Sequence, residues 1–161
     1  IRQLHEDNVR LRFIGKRSGF SARLQASMAD AEALTRDNTG TVVTVAADYG
    51  GRWDITEATR AIAARVAEGQ LSKDEISIDT LQSFTSLADY PDPDLCIRTG
   101  GEHRISNFLL WQFAYTELYF TDCYWPDFGV NELQLALDDF ARRKRRYGGH
   151  DRTITEPGDK P

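Results

Sequence analysis

The sequence has 161 residues, of which 40% are hydrophobic and 11% aromatic, enough to enclose one core but too few for two comfortable domains. Its formal net charge of −5 argues against general nucleic-acid binding, because affinity for a phosphate backbone comes from a surplus of lysine and arginine. No apolar run approaches the ~20 residues of a membrane span, and residues 1–14 are too charged for a secretory signal. We therefore expect a soluble, cytoplasmic protein.

Strand and helix signals alternate along the chain. Period-two alternation of apolar residues predicts strands, and apolar residues recurring at three and four positions predict helices. In chain order, the predicted elements are a half-buried strand at 9–13, a helix at 20–34, a strand at 41–47, a helix at 55–66, a short helix at 79–84, a strand at 95–97, an apolar helix at 107–114, a strand at 118–120 and a last helix at 131–147. This order predicts an α/β fold with a largely parallel β-sheet flanked by helices.

Two predictions concern burial. The strand at 41–47 reads TVVTVAA, a nearly continuous β-branched run that suits a strand covered on both faces. Cys96 and Cys123 each lie in an apolar stretch, and no clustered histidines accompany them. They therefore indicate two buried thiols in a reducing compartment rather than a zinc site.

The last predicted helix carries the basic run RRKRR at 142–146 and ends at a glycine pair. Such a run can indicate a nucleic-acid or membrane-binding patch. Cations in the last turns of a helix are also stabilised by the helix dipole, and we favour this structural interpretation. We assign residues 1–149 to one domain and expect the polar residues 150–161 to be a mobile tail.

The stretch RTGGEHRISN at 98–107 follows the apolar strand at 95–97. In parallel sheets, ligands bind beyond the carboxyl ends of the strands. Gly100 and Gly101 allow unusual backbone angles, and Ser106 or Asn107 is expected to open the next helix, whose amide groups would attract an anion. Two guanidinium groups beside such a helix end predict a clamp for a diphosphate or carboxylate.

Glu102 and His103 within this stretch add the possibility of base chemistry or metal ligation. Glu117 is the candidate partner for His103, since it is a charged residue in an otherwise hydrophobic segment. A histidine and a carboxylate beside a phosphate clamp could hold Mg²⁺, although this ion prefers oxygen ligands and keeps several waters. The alternative is that Glu117 forms an ion pair with an arginine and that His103 caps a loop.

The segment DYGGRWD at 48–54 also follows a strand and opens a helix. Its glycines and Arg52 could line a second phosphate site. The stronger interpretation is a tight strand-to-helix turn, with Trp53 packed and Asp54 at the helix start. The segment lacks the spacing of a P-loop or a dinucleotide-binding fingerprint.

These segments resemble motifs of the cis-prenyltransferase family. The longest match is RTGGEHRISN at 98–107, continuing through FLLWQFAYTELYFTDCYWPDF at 108–128. AADYGGRWD at 46–54, NVRLRFIG at 8–15 and RRKRRYGG at 142–149 also resemble family motifs. The resemblance covers the chain up to Gly149, and its central block is long and specific.

The resemblance implies a Mg²⁺-dependent homodimeric enzyme with a parallel α/β sheet, which adds isopentenyl diphosphate to farnesyl diphosphate with cis double bonds. For bacterial members of this family, the product becomes the lipid carrier of cell-wall sugars and is delivered to the membrane. The implied residues that bind isopentenyl diphosphate are Arg98, Arg104, Ile105 and Ser106. The implied metal ligands are His103 and Glu117.

The departures from the family pattern concern its early motifs. The family's Asp-Gly-Asn-Gly-Arg-Trp and Ser-x-Glu-Asn segments do not occur here, so the chain resembles the C-terminal two-thirds of such an enzyme, and none of its residues is assigned as catalytic. Asp54 matches a different family segment, and Asp48 stands where relatives commonly have asparagine. We expect the 161 residues alone to be inactive and poorly folded. The alternatives are a noncatalytic subunit of the same fold, an isopentenyl-diphosphate-binding fragment, and an unrelated module for small anions.

Overall fold

The structure, a computed structural model, describes residues 1–143 of the 161. Within this range, the elements in chain order are α1 (Arg2–Glu6), β1 (Arg10–Ile14), α2 (Ala22–Thr35), β2 (Val42–Ala46), α3 (Gly51–Ala67), α4 (Ile78–Ser83), β3 (Leu95–Arg98), β4 (Glu117–Phe120) and α5 (Val130–Arg142), with short 3-10 helices at Arg17–Gly19, Lys73–Glu75 and Trp125–Asp127. No helix in the described range is long and apolar enough to cross a bilayer.

The described residues form two compact units. The first unit comprises Ile1–Pro91 and Ile105–Ala114, and the second comprises Asp92–Arg104 and the described residues from Tyr115 onward. Each unit contains one two-stranded parallel sheet, β1 with β2 in the first and β3 with β4 in the second. Parallel neighbours require a crossover connection, which α2 provides between β1 and β2. The prediction of parallel β-structure flanked by helices is confirmed.

Helix α2 is attached to β1 by both apolar and polar contacts. Leu11 of β1 and Met28 and Ala31 of α2 are buried. Thr35, at the end of α2, is fully buried, accepts a hydrogen bond from the Leu11 N–H at 3.0 Å and donates one to the Ala31 carbonyl at 2.9 Å. Burial of a side chain such as Met28 contributes about 1.5–3 kcal/mol. These contacts fix the strand against the helix that follows it.

Local capping signals explain where the long helices begin and end. The Ser21 side chain accepts from the Leu24 N–H at the start of α2, and Gly69, with φ of +70°, follows the end of α3. Helix α5 begins after Gly129, whose N–H donates to the Glu132 carboxylate at 3.0 Å. The predicted continuation of this helix, with most of the basic run and the tail, lies outside the described residues.

Two predictions about burial were wrong. Val42, Val43 and Val45 of β2 are 36–40% exposed, so this strand is not covered on both faces. A β-branched run favours a strand whether or not both faces are covered, and composition alone did not distinguish the two cases. Cys96 and Cys123 are only half-buried, although burial still raises the pKa of the Cys96 thiol.

Candidate functional site

The turn after β3 lies at the carboxyl edge of the β3–β4 sheet, where the sequence predicted it. Arg98 is the last residue of β3 and pairs with Phe120, the last residue of β4. Beyond the strands, the Gly100 N–H donates to the Cys123 carbonyl at 2.9 Å, and the Gly101 N–H donates to the Thr121 carbonyl at 3.0 Å. Main-chain hydrogen bonds therefore hold this turn against the segment that follows β4.

Glycine is required in this turn for its backbone conformation. Gly100 and Gly101 have φ of +85° and +73°, in the left-handed region. A Cβ atom at Gly101 would lie 3.2 Å from an oxygen of Asp122, whereas one at Gly100 would have nearly open space. The turn thus follows Arg98 directly at the edge of the sheet, and its two glycine amides are already hydrogen-bonded.

The two arginines predicted to form the clamp differ in their surroundings. Arg104 is exposed and forms an ion pair with Glu102. Arg98 is half-buried, and no carboxylate within residues 1–143 lies at ion-pairing distance from its guanidinium. Arg98 can therefore meet an anion without breaking an ion pair, whereas Arg104 has to release Glu102 first.

The two predicted metal ligands make separate contacts. The His103 ring is exposed and lies against Phe120, with ring centroids 5.1 Å apart. Glu117, the first residue of β4, accepts a hydrogen bond from Arg143 at 2.9 Å. Glu117 and Phe120 are three positions apart, so their side chains leave opposite faces of the strand, about 10 Å apart along it. The ion pair of Glu117 matches the alternative interpretation of this residue.

Arg143 joins two carboxylates from different elements. Besides Glu117, its guanidinium donates to Asp139 at 2.6 and 2.9 Å, one turn earlier in sequence. These hydrogen bonds, to Glu117 first and to Asp139 second, raise the pKa of Arg143, so the guanidinium stays charged. The contact anchors the end of α5 to the start of β4.

The two predicted ligands have the chemistry, but not the proximity, of a shared magnesium site. No cluster of three histidine, cysteine, aspartate or glutamate side chains within the described range could hold a metal by itself. Mg²⁺ is commonly bound by one or two carboxylates together with substrate phosphates and water. The second Glu117 oxygen and the exposed His103 ring each have suitable chemistry for this role, but His103 lies against Phe120, on the opposite face of β4 from Glu117, so the two do not meet in this structure.

The predicted helix at 107–114 is wrong. This segment, which belongs to the first unit, is a series of turns, with φ of +47° at Ser106, +65° at Asn107 and +45° at Leu109. The Phe108 N–H donates to the Ile105 carbonyl, which closes one of these turns. Because no helix begins at Ser106, the predicted attraction of an anion by a helix dipole at this point does not apply.

Asn107 instead caps another helix. The Gly51 N–H donates to its main-chain carbonyl at 2.6 Å, and the Arg52 N–H donates to its side-chain Oδ1 at 2.9 Å. These are the first two amides of α3, which lack partners inside the helix. The second phosphate site considered at 48–54 is therefore not supported, because these amides are already satisfied.

A buried polar network lies in the first turn of α3. Asp54 is only 3% exposed and accepts hydrogen bonds from the Tyr49 hydroxyl at 2.8 Å and from the Ser86 N–H and Oγ at 2.9 and 2.6 Å. Burial first, and the Asp54 carboxylate second, raise the pKa of Tyr49 well above its usual value. The sequence analysis missed this role, although Asp54 shares a helical stripe with the buried Ala58 and Ile62.

Comparison with known proteins places these segments in context. Residues 1–148 match the prenyltransferase family model described as "Putative undecaprenyl diphosphate synthase". The ditrans,polycis-undecaprenyl-diphosphate synthase ((2E,6E)-farnesyl-diphosphate specific) of Pseudomonas aeruginosa is 54% identical over 92% of this chain and 59% of its own length. The Escherichia coli K12 protein of the same name is 52% identical over 99% of this chain and 61% of its own length. The chain thus spans about three fifths of the length of these relatives.

Two solved structures are similar to the chain. Lavandulyl diphosphate synthase from Lavandula x intermedia, in complex with dimethylallyl diphosphate, has a TM-score of 0.84 and 42% identity, covering 87% of this chain and 60% of that one. A probable undecaprenyl diphosphate synthase from Campylobacter jejuni has a TM-score of 0.79 and 33% identity, covering 91% and 66%. By its family match, its identities and its fold, the chain belongs to the cis-prenyltransferase family of undecaprenyl diphosphate synthases.

Proposed function

We propose that the intact protein carrying this chain condenses isopentenyl diphosphate with farnesyl diphosphate, in successive cis additions, to make undecaprenyl diphosphate. Each addition forms one carbon–carbon bond, releases inorganic diphosphate and gives up one proton. Support comes from the relatives, whose names state undecaprenyl diphosphate synthesis and specificity for farnesyl diphosphate. The structural observation that carries the proposal is the half-buried Arg98 guanidinium, which ends β3 beside a glycine turn and has no carboxylate partner in the described range.

The substrate-binding residues have distinct roles in this proposal. Arg98 donates paired hydrogen bonds to the diphosphate of isopentenyl diphosphate, and Arg104 exchanges its Glu102 partner for the same group. Ser106 donates through its hydroxyl, and Ile105 contributes main-chain contacts. Charge on the diphosphate is thereby balanced by arginines although the chain as a whole is acidic.

Mg²⁺ is the proposed cofactor, with His103 and Glu117 as separate candidate ligands, since His103 lies against Phe120 on the opposite face of β4 from Glu117. When bound, it would neutralise charge on substrate diphosphate oxygens; the diphosphate that leaves is that of the allylic substrate, and the diphosphate of isopentenyl diphosphate stays in the product. Arg143 holds one Glu117 oxygen, which leaves the other oxygen to serve as the ligand. These residues would supply only part of a coordination shell, and substrate diphosphate oxygens and water would have to supply the rest.

The proposal also covers the oligomeric state and the cellular location of the enzyme. We propose a cytoplasmic homodimer that acts at or near the inner membrane face, since its long-chain product has to enter the membrane. The product is the precursor of the lipid that carries cell-wall sugars.

A mass measurement and a transfer assay on the same material test the function. The assay uses farnesyl diphosphate, labelled isopentenyl diphosphate and Mg²⁺. Long cis-prenyl product from a protein several kilodaltons above 18.2 kDa supports the proposal for the intact protein. Isopentenyl diphosphate binding without turnover in that protein indicates a noncatalytic subunit, and binding of simple phosphates without preference for prenyl diphosphates indicates an anion module.

An Arg98 variant tests the clamp within the same assay. Arg98→Lys keeps the positive charge but loses the planar, paired donors, so we expect the KM for isopentenyl diphosphate to rise about tenfold or more. Arg60→Lys is the matched control, because Arg60 is an exposed α3 residue paired with Glu57. Equal KM values for the two variants would contradict the proposed role of Arg98.

A further inference from the structure

We infer that Asn107 is the positioning residue for Ser106, because it holds the serine's backbone in place by capping α3 from 55 positions away in sequence. The inference rests on the proposed function, in which the Ser106 hydroxyl contacts the diphosphate of isopentenyl diphosphate. It adds a residue whose side chain acts through its neighbour, and all the contacts involved lie within the first unit.

The cap uses both polar groups that Asn107 can present as acceptors. Its carbonyl receives the Gly51 N–H at 2.6 Å, and its side-chain Oδ1 receives the Arg52 N–H at 2.9 Å. Gly50, the residue that precedes α3, has no side chain with which to cap the helix. Asn107 thus takes over a function that a serine, threonine or aspartate immediately before a helix usually performs.

The backbone around Ser106 requires such support. Ser106 and Asn107 both have φ in the left-handed region, at +47° and +65°. This conformation costs a non-glycine residue free energy and persists only where the surroundings impose it. Asparagine tolerates it better than serine does, so Asn107 is the natural anchor of the pair. The two hydrogen bonds from α3 hold the Asn107 side chain and the peptide that joins Asn107 to Phe108, and so fix the residue to which Ser106 is bonded.

Packing beyond Asn107 reinforces the same orientation. The Phe108 ring meets the Tyr49 ring edge to face, with centroids 5.8 Å apart. A Cβ atom at Gly51 would lie 2.7 Å from Leu110, which shows how closely the segment after Asn107 approaches α3. Tyr49 is held in turn by its hydrogen bond to the buried Asp54. Ser106 is therefore adjacent to a segment that is immobilised on the start of α3.

Gly50 offers an independent way to break the same contact. A Cβ atom there would lie 2.6 Å from Nδ2 of Asn107, while the extended backbone of Gly50 accepts alanine. Gly50→Ala should displace the Asn107 side chain without altering residue 107 itself. Asn107→Gly removes the side chain and keeps the left-handed backbone accessible. In the double variant, the alanine at position 50 meets no side chain at position 107. This variant should therefore behave like Asn107→Gly alone.

The experiment measures two quantities on the intact protein and its variants. Amide hydrogen exchange reports protection at Arg52, and calorimetric titration with isopentenyl diphosphate reports affinity. We expect Asn107→Gly and Gly50→Ala each to lower protection and affinity about tenfold. Asn107→Asp keeps the side-chain acceptor and tolerates the left-handed backbone, so protection at Arg52 should be retained. This variant serves to show that the site still folds when residue 107 is substituted. Gly129→Ala is the matched control, because Gly129 is also the extended residue before a helix and its added Cβ would meet only the Glu132 side-chain end.

The outcomes separate this inference from the proposed function. If Asn107→Gly leaves Arg52 protection or isopentenyl diphosphate affinity unchanged in a protein that binds this substrate, the positioning role is overturned. Additive losses in the double variant would also overturn it, because the two substitutions would then act on different contacts. If the unsubstituted protein does not bind isopentenyl diphosphate, the proposed function fails, and the role of Asn107 toward Ser106 fails with it, even where the loss of Arg52 protection confirms the cap.

Discussion

The two ends of the RTGGEHRISN segment reach the left-handed backbone region in different ways. At Gly100 and Gly101, glycine adopts this conformation with little steric cost, and two main-chain hydrogen bonds complete the turn. At Ser106 and Asn107, ordinary side chains adopt it at a cost of roughly 1–2 kcal/mol per residue. The first end thus depends on its own glycines and on main-chain contacts with the segment after β4, whereas the second depends on the cap that Asn107 makes on α3.

This difference predicts where the segment is most easily disturbed. The glycine turn should tolerate side-chain changes elsewhere, because its hydrogen bonds are made by main-chain atoms. A conformation imposed by remote contacts is lost when any of those contacts is lost. The end that carries Ser106 should therefore respond to substitutions in α3 and in the loop before it.

The largest effect is expected at Gly51. An alanine Cβ at this buried position would lie 2.7–2.9 Å from side-chain and backbone atoms of Leu110. We expect Gly51→Ala to lower the free energy of unfolding by about 2 kcal/mol, after a helix-propensity gain of about 1 kcal/mol is counted. Urea denaturation measures this change. Gly129→Ala serves again as the control, and an equal loss there would show that the contact with Leu110 is unimportant.

Tyr49→Phe tests the network that holds the loop before α3. Loss of the hydrogen bond from the Tyr49 hydroxyl to the buried Asp54 should cost about 1.5 kcal/mol at neutral pH. Because burial and Asp54 raise the pKa of Tyr49 above its ordinary 10.0, its contribution is complete below pH 10 and is lost as the pH rises beyond that value. The Tyr49→Phe protein, which has no hydroxyl to ionise, should not lose this stability at high pH. Parallel stability curves for the two proteins between pH 9 and 11 would rule out the predicted linkage.

Gly101→Ala disturbs the glycine turn at the first end of the RTGGEHRISN segment. The left-handed φ of +73° disfavours alanine, and its Cβ would meet only the movable Asp122 carboxylate at 3.2 Å. We expect a loss of about 1 kcal/mol in the free energy of unfolding, smaller than at Gly51. Gly101→Asn is the conservative comparison, since asparagine accepts this conformation more readily. A loss at Gly101 that exceeds the one at Gly51 would reverse the comparison between the two ends.

The smallest effect is expected at Arg143. Its side chain is 31% exposed and bridges Glu117 and Asp139, so solvent weakens both ion pairs. Arg143→Ala should cost about 0.5–1 kcal/mol, and 0.5 M salt should reduce the difference from the unsubstituted protein. Arg60→Ala, which removes a pair exposed at 72% and 44%, should cost less. Identical losses for these two arginines would show that the bridge between α5 and β4 adds nothing.

Features that are determined by residues close together in the sequence were predicted correctly. The apolar run at 95–97 followed by charged residues identified the carboxyl end of β3, and the helical spacing around Met28 identified α2. The departure from helix at 107–114 was not predicted, because an apolar run such as FLLWQFA at 108–114 has the composition of a buried helix. Its conformation is decided by Asn107 and by the close approach of Gly51, neither of which is visible in a local pattern.

Long-range polar contacts escaped prediction for the same reason. Asp54 and Ser86 are 32 positions apart, and only the folded chain brings them together. The ion pair of Glu117 with Arg143 was foreseen as one of two alternatives, since a carboxylate in an apolar segment requires a cation or a metal. The sequence offered several arginines as partners, and only the structure identifies which one is used.

The cap on α3 has a consequence for the order in which the protein is made. Gly51 and Arg52 leave the ribosome well before Asn107, which follows Arg52 by 55 residues. At typical translation speeds of roughly 5–20 residues per second, this delay amounts to about 3–11 s. During that interval, the start of α3 can be capped only by water or by a chaperone. Its native N-terminus forms when the segment that carries Ser106 arrives, so the nascent chain completes this helix and positions this serine in one step.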